Sequence, residues 1–149
     1  MVKNLSINFA RNIDLEKKIV HNLVHFLKQK LNFNISSLII NFISAELITK
    51  INEEYLDHHY STDIITFNYT MNHILLDGEL YISVENADNN ARRYGISAKY
   101  EYFRLVIHGI LHLLNYNDLI KEDKMKMKRI ENKLLKEFIN NFKRAGSLA

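Results

Sequence analysis

His108-Gly109-Ile110-Leu111-His112-Leu113-Leu114-Asn115-Tyr116-Asn117-Asp118 is the stretch on which the reading of this chain turns. Residues four apart on a helix sit one turn above each other, so His108 and His112 share a face. Two imidazoles so placed can reach one ion at the roughly 2.0–2.1 Å of a Zn–N bond. The helix must then end for a third ligand to come round. Asn115 suits that end, because Asn tolerates the left-handed backbone at a helix C-terminus. Asp118 follows in the exit and supplies the third ligand. Two His and one carboxylate leave positions open for water, as a catalytic metal requires.

Spacing alone leaves a plainer alternative open, in which both are core histidines satisfied by neighbours and Asp118 is a turn residue. The flanks favour a metal. Leu105, Val106, Ile107, Ile110, Leu111, Leu113 and Leu114 make the helix apolar nearly all round, which reads as buried. Histidines inside such a helix need partners, and a metal is one. A zinc peptidase would carry Glu directly after the first His as its general base. Gly109 stands there, which weakens the peptidase reading and suggests a close neighbour against the helix.

Outward from this stretch, the chain has 149 residues, 47% apolar and 25% charged, the size and balance of one globular domain. We expect residues 1–144 to form a single metal-dependent hydrolase domain and 145–149 a frayed tail. There are no cysteines, which excludes disulfides, thiolate metal sites and cysteine nucleophiles and leaves His, Asp and Glu as metal ligands. No segment approaches the roughly 18 apolar residues of a membrane span. Residues 1–10 lack the layout of a signal peptide, and the expected location is the cytoplasm. The net charge of +3 permits an RNA partner without demanding one.

The patterning predicts α+β. Residues 4–9 alternate as a strand. Asp14 is expected to cap a helix carrying Leu15, Ile19, Leu23, Phe26, Leu27 and Leu31. A second strand spans Leu38 to Ile43, and Ser44 caps the next helix, with no capping box. A loop over 57–61 leads to a third strand over 62–67. Asp77-Gly78 reads as a turn before a fourth strand from Glu79 to Val84. Helices follow over 85–94, stopped by Gly95, then over about 98–114, capped by Ser97. The last runs over 121–142, with Met125, Ile130, Leu134, Leu135 and Phe138 inward.

Three ordered blocks of this sequence resemble the YbeY family, endoribonucleases that mature ribosomal RNA. The family motif His-Gly-x-Leu-His-Leu-x-Gly-Tyr-Asp-His is matched by His108, Gly109, Leu111, His112, Leu113 and Tyr116. Upstream, Asn52 to Tyr55 and Thr62 to Phe67 are similar to the family's Asn-x-x-Tyr-Arg, loop, Thr-Asp-Val-Leu-Ser-Phe. Gly78-Glu79-Leu80-Tyr81-Ile82-Ser83 looks like its Gly-Asp-Ile-x-Ile-Ser. The resemblance spans roughly residues 40 to 120. It implies a zincin-like fold, a small mixed sheet of about four strands packed with about five helices. It also implies one Zn²⁺ per chain, cleavage preferring single-stranded RNA, 3′-end maturation of 16S rRNA, ribosome quality control and the small subunit as partner.

The chain departs from the family at several positions. Asn115 replaces the motif glycine and Asp118 its third histidine. Leu56 stands where the family has the arginine after its tyrosine, which vacates a phosphate-binding role. A carboxylate still ligates zinc, but its charge makes the metal a weaker Lewis acid.

Metal-assisted hydrolysis needs a base, and Asp63 and Glu79, each opening a strand, are the two candidates. If the ribose 2′-OH is the nucleophile instead, DNA resists. Arg92, Arg93 and Arg104, with Lys99, Lys121, Lys124, Lys126, Lys128 and Arg129, are candidate phosphate contacts. His58, His59 and Tyr60 are candidates for base stacking or the edge of the site. His21, His25 and His73 receive no role. Two further readings stay open: another zinc hydrolase, or a ribosome- or RNA-binding protein in which metal only holds the fold. Nickel or iron suit two His and one carboxylate almost as well as zinc.

Overall fold

This computed structural model describes residues 1–57 and 62–144, and among them four strands and five helices follow in the order β-α-β-α-β-β-α-α-α. The strands are β1 (Leu5–Phe9), β2 (Asn34–Ile43), β3 (Ile64–Asn68) and β4 (Leu75–Ser83). The helices are α1 (Lys17–Leu31), α2 (Ala45–Leu56), α3 (Val84–Tyr94), α4 (Ala98–Leu113) and α5 (Lys121–Arg144). The sheet order is β1-β2-β4-β3. β1, β2 and β4 run parallel, and β3 pairs antiparallel with β4 at the edge. The expected α+β class with a small mixed sheet is what the chain adopts. His58, His59 and Tyr60 and the tail 145–149 lie outside the described residues.

The period-two patterning decides which face each strand residue takes. Ile7, Ile40 and Leu80 align across β1, β2 and β4, as do Leu38 with Gly78 and Phe42 with Ile82. These residues, apart from Gly78, join α1, α4 and α5 in the main core. The opposite face is covered by α2, where Ile43, Ile48 and Ile65 form a second, smaller cluster flanked by Phe67 and Tyr81. α4 is therefore an interior helix, with Phe103, Ile107, Ile110 and Leu111 fully buried.

Ser44, Ser83 and Ser97 each accept a hydrogen bond from the third residue beyond, capping α2, α3 and α4. Gly95 ends α3 in the left-handed region.

Four details differ from expectation. The first helix starts at Lys17 with Glu16 at its N-cap, not at Asp14. There the Leu15 N–H is already turned onto the Ile13 carbonyl, and Asp14 lies in the preceding loop. β2 begins four residues before Leu38, at Asn34, with an irregularity between Ile35 and Ser37 that hides the alternation. Asp77-Gly78 is no turn but the middle of β4. The reversal lies earlier, where Asn72 accepts from the backbone of Ile74 and Leu75. Met125 is 52% exposed, and Met127 takes its inward place, because the buried stripe of α5 is Met127, Glu131, Leu134, Phe138 and Phe142.

Gly78 is glycine because of its neighbours. A Cβ there would stand 2.9 Å from the Phe67 carbonyl oxygen on β3 and 2.9 Å from a Leu113 methyl on α4. The carbonyl is ladder backbone and cannot swing aside. Gly78→Ala is expected to cost about 1–3 kcal/mol of stability, the usual range for overpacking. A lowered urea midpoint at unchanged slope would show it; a midpoint equal to wild type would mean that β3 yields freely.

Candidate metal centre

The site is built on the C-terminal half of α4. Because α4 is buried, its polar residues face a common direction: Glu101, Arg104, His108 and His112 follow one another at helical spacing. The Nε2 atoms of His108 and His112 converge to 3.0 Å. Their helix then stops in a Schellman arrangement, with Asn115 N–H on the His112 carbonyl and Tyr116 N–H on that of Leu111. Asn115 has φ 72°, the left-handed backbone expected of it, so replacing the motif glycine leaves the exit geometry intact. Asn68 of β3 donates to the Leu113 carbonyl at 3.3 Å, tying the helix end to the sheet.

After this turn the chain returns Asp118 to the pair. Its Oδ2 lies 3.7 Å from His112 Nε2, and one ligand atom from each of the three residues lies within 4.8 Å of the others. Donors around a tetrahedral zinc are about 3.3 Å apart, given bonds of about 2.0–2.1 Å. The separations of 3.0 and 3.7 Å bracket that distance, so the donor set fits one small divalent ion.

Gly109 lets the helix sit close enough to the sheet for this. A Cβ there would meet Leu80 and Ile64 methyl carbons at 2.9 Å, which is the close neighbour its glycine suggested.

The other side of His108 is held by a residue that the sequence reading missed. His108 Nδ1 lies 2.5 Å from Glu131 Oε2 on α5. A carboxylate there selects the tautomer with the proton on Nδ1 and leaves the Nε2 lone pair for a metal. Glu131 is only 4% exposed. Its signal in the sequence was a Glu inside the stripe Met127, Leu134, Phe138, where every other member is apolar.

The network continues inward. Arg104 donates to Glu131 at 3.1 Å and makes a two-pronged contact with Glu101 at 2.7 and 2.8 Å. Asn90 of α3 bridges Glu101 and Asp63, at 3.0 and 3.1 Å. The hydrogen bonds it donates to Glu101, and then that carboxylate's charge, hold the Arg104 guanidinium protonated still more firmly than usual.

His112 is shifted the other way. Burial, and then the neighbouring His108, push its pKa below the usual 6.5, with Asp118 and Glu131 opposing. The imidazole is thus neutral at pH 7, as a ligand must be. In the metal-free protein the unfolded chain protonates His112 first as the pH falls below 6.5, so the stability tied to its neutral form is lost in that direction. Metal uptake is expected to weaken over the same range, since a proton competes for the lone pair. Zinc titrations at pH 7.5 and 5.5 test this, and equal affinities would refute it.

The other candidates are dispersed. Glu79 lies on the α2 face of the sheet, opposite Leu80, where Tyr69, Tyr81 and Asn41 donate to its carboxylate; the structure does not bring it to the histidines. Among the described residues, Asp63 connects to His108 through Asn90, Glu101, Arg104 and Glu131. Arg92 and Arg93 are exposed in the last turn of α3. Arg92 lines a separate hollow of about 720 Å³ with Arg11, Lys99, Asp14 and Asp88. The cleft of about 410 Å³ that includes His108 and Asp118 is also lined by Lys124, Lys128, Arg104, Tyr94 and Ile96. Leu56 is 43% exposed at the end of α2.

This geometry can be set beside known proteins. The family model described as Endoribonuclease YbeY matches residues 3–139, nearly the whole chain. The chain belongs to the YbeY endoribonuclease family. YbeY relatives named Endoribonuclease YbeY include that of Chlorobium phaeobacteroides, 34% identical over 139 residues, covering 93% of this chain and 97% of the relative. The YbeY of Amoebophilus asiaticus is 36% identical over 125 residues, covering 83% and 85%. That of Bacteroides thetaiotaomicron is 43% identical over 94 residues, covering 63% and 68%. Among solved structures, the solution structure of TM1509 from Thermotoga maritima superimposes with TM-score 0.68 at 23% identity, over 97% of this chain and 95% of that one. That likeness supports the shared fold.

Proposed function

We propose that this protein is a zinc-dependent endoribonuclease in which His108, His112 and Asp118 hold the metal and residues 1–144 act as one hydrolase domain. The observation that carries this reading is the convergence of three ligand atoms within 4.8 Å on a motif shared with the endoribonuclease family. When bound, the metal supplies Lewis-acid polarisation of a phosphoryl oxygen and acidifies a water.

The chain's own residues do the rest. Glu131 holds the His108 tautomer. Lys124 and Lys128, which line the same cleft as Asp118, neutralise substrate phosphates. They offer cations where Leu56 has none. Tyr94, 63% exposed in the lining of the cleft, offers a ring for an unpaired base, which favours single strands over duplex. Asp63 is proposed as a support of the buried network, since four side chains separate it from His108, and Glu79 as a support of the α2 face. Arg92 and Arg93 remain proposals for more distant phosphates.

The proposed substrate is ribosomal RNA at the 3′ end of the 16S precursor, with the small subunit as partner and the cytoplasm as the place of action. None of the helices among the described residues is long and apolar enough to cross a membrane. The first test is metal content per chain, by mass spectrometry of untagged protein, beside Asp118→Ala. One zinc per chain, sharply reduced in the variant, is expected. No metal, in protein never exposed to chelator, would discard the catalytic reading in favour of RNA binding without turnover.

A further inference from the structure

Arg104 lies in the cleft with the lysines, and its place in the sequence suggests a phosphate contact. Its geometry points elsewhere. Nε and Nη2 donate to the two oxygens of Glu101, and Nη1 donates to Glu131 Oε1. Its side chain is 26% exposed, and the carboxylates it holds are nearly inaccessible, Glu101 fully so. One guanidinium between two buried carboxylates leaves one formal negative charge. The oxygen of Glu131 that Arg104 does not touch is the one on His108 Nδ1.

We propose, on the strength of the metal-site reading above, that Arg104 is a positioning residue for the metal, acting through Glu131 and not through RNA. A buried carboxylate with one partner is costly and tends to turn toward water. Arg104 prevents this by fixing Oε1, so that Oε2 stays aimed at His108. Glu101 in turn holds the guanidinium plane in a fork that a lysine cannot reproduce. Asn90 joins Glu101 to Asp63, so the ligand on α4 is braced against α3, the start of β3 and α5 together. Outer partners of this kind set metal affinity because they fix ring orientation and raise ligand basicity.

The experiment compares wild-type protein with Arg104→Met in two measurements. The first is zinc affinity by competition with a chromophoric chelator. The second is binding of a fluorescent single-stranded oligoribonucleotide to the metal-free protein. Arg104→Met is expected to weaken zinc about 10- to 100-fold and to leave RNA affinity within about twofold, because a guanidinium engaged with carboxylates gives no phosphate contact. In ¹⁵N-labelled zinc-loaded protein, the hydrogen-bonded His108 Nδ1–H resonance is expected to move or disappear in the variant, which a loss of packing alone would not cause. Zinc affinity equal to wild type in folded Arg104→Met overturns the proposal. So does a loss of RNA affinity without a loss of zinc affinity, which would make Arg104 a phosphate contact. Should Arg104→Met fail to fold, Arg104→Lys keeps the charge and loses the fork. A partial loss of zinc affinity then supports the proposal, and an unchanged affinity overturns it. Absence of zinc uptake by wild type overturns the metal reading itself and this proposal with it, so the two failures are distinguishable.

Discussion

His112→Ala is expected to lose its zinc during purification and to lower turnover of a single-stranded RNA by on the order of 10³-fold, the equivalent of the several kcal/mol that metal-based charge stabilisation contributes. The reasoning is geometric. His112 Nε2 is the central donor of the set, 3.0 Å from that of His108 and 3.7 Å from the Asp118 carboxylate. Its removal leaves one imidazole and one carboxylate, His108 and Asp118, ten residues apart in sequence, as a two-donor set. The fold should survive, since His112 is half-buried at the end of α4 and its neighbours Leu111 and Leu113 carry the packing. Circular dichroism unchanged from wild type, with metal and turnover both lost, is the expected pair of results. Turnover retained without metal would sink the hydrolytic mechanism. Equal RNA profiles for wild type and variant would remove the nuclease assignment for this chain.

Phe138→Ala is expected to cost about 3–5 kcal/mol, the range for deleting a buried aromatic ring. Phe138 is 1% exposed and packs on Phe26 of α1 at 5.6 Å, Phe103 of α4 at 5.2 Å and Phe142 at 4.4 Å between ring centroids. It is therefore the point where α1, α4 and α5 meet. It also lies two turns beyond Glu131 on the same stripe of α5, so the contact that docks this helix also presents Glu131 to His108. A large fall in the denaturant midpoint should be accompanied by weaker zinc binding, because α5 loses its anchor below the carboxylate. A midpoint shift under about 1 kcal/mol would mean that the three helices collapse onto the cavity.

Much of this architecture was legible in local pattern. The i, i+4 histidines, the Asn115 exit and the returning Asp118 lie within eleven consecutive residues, and helix geometry alone brings the first two together. Ser44, Ser97 and Gly95 marked helix ends because capping depends on residues three or fewer positions away. Two local signals misled for one reason. Asp77-Gly78 imitates a turn, yet its glycine answers a carbonyl on β3 and a methyl on α4 that are distant in sequence. Met125 carries the right chemistry for a core, but the phase of α5 is set by what it packs against.

The sequence by itself determined the candidate ligand set, the helix that carries it, the α+β class and the family, since these rest on spacings along one segment and on residue types that admit few uses. Only the tertiary structure decided what surrounds the ligands. Glu131 comes from 23 residues beyond His108, Glu101 from the opposite end of α4, Asn90 and Asp63 from two further elements. Nothing in their local sequence marks them as a network, because a buried charge is tolerable only when partners from elsewhere in the chain reach it. The same holds for Glu79 and Arg104, which the sequence offers as site residues. Strand alternation turns Glu79 to the α2 face, and two buried carboxylates claim the Arg104 guanidinium. Both outcomes depend on which helix covers which face, a choice that the sheet makes as a whole.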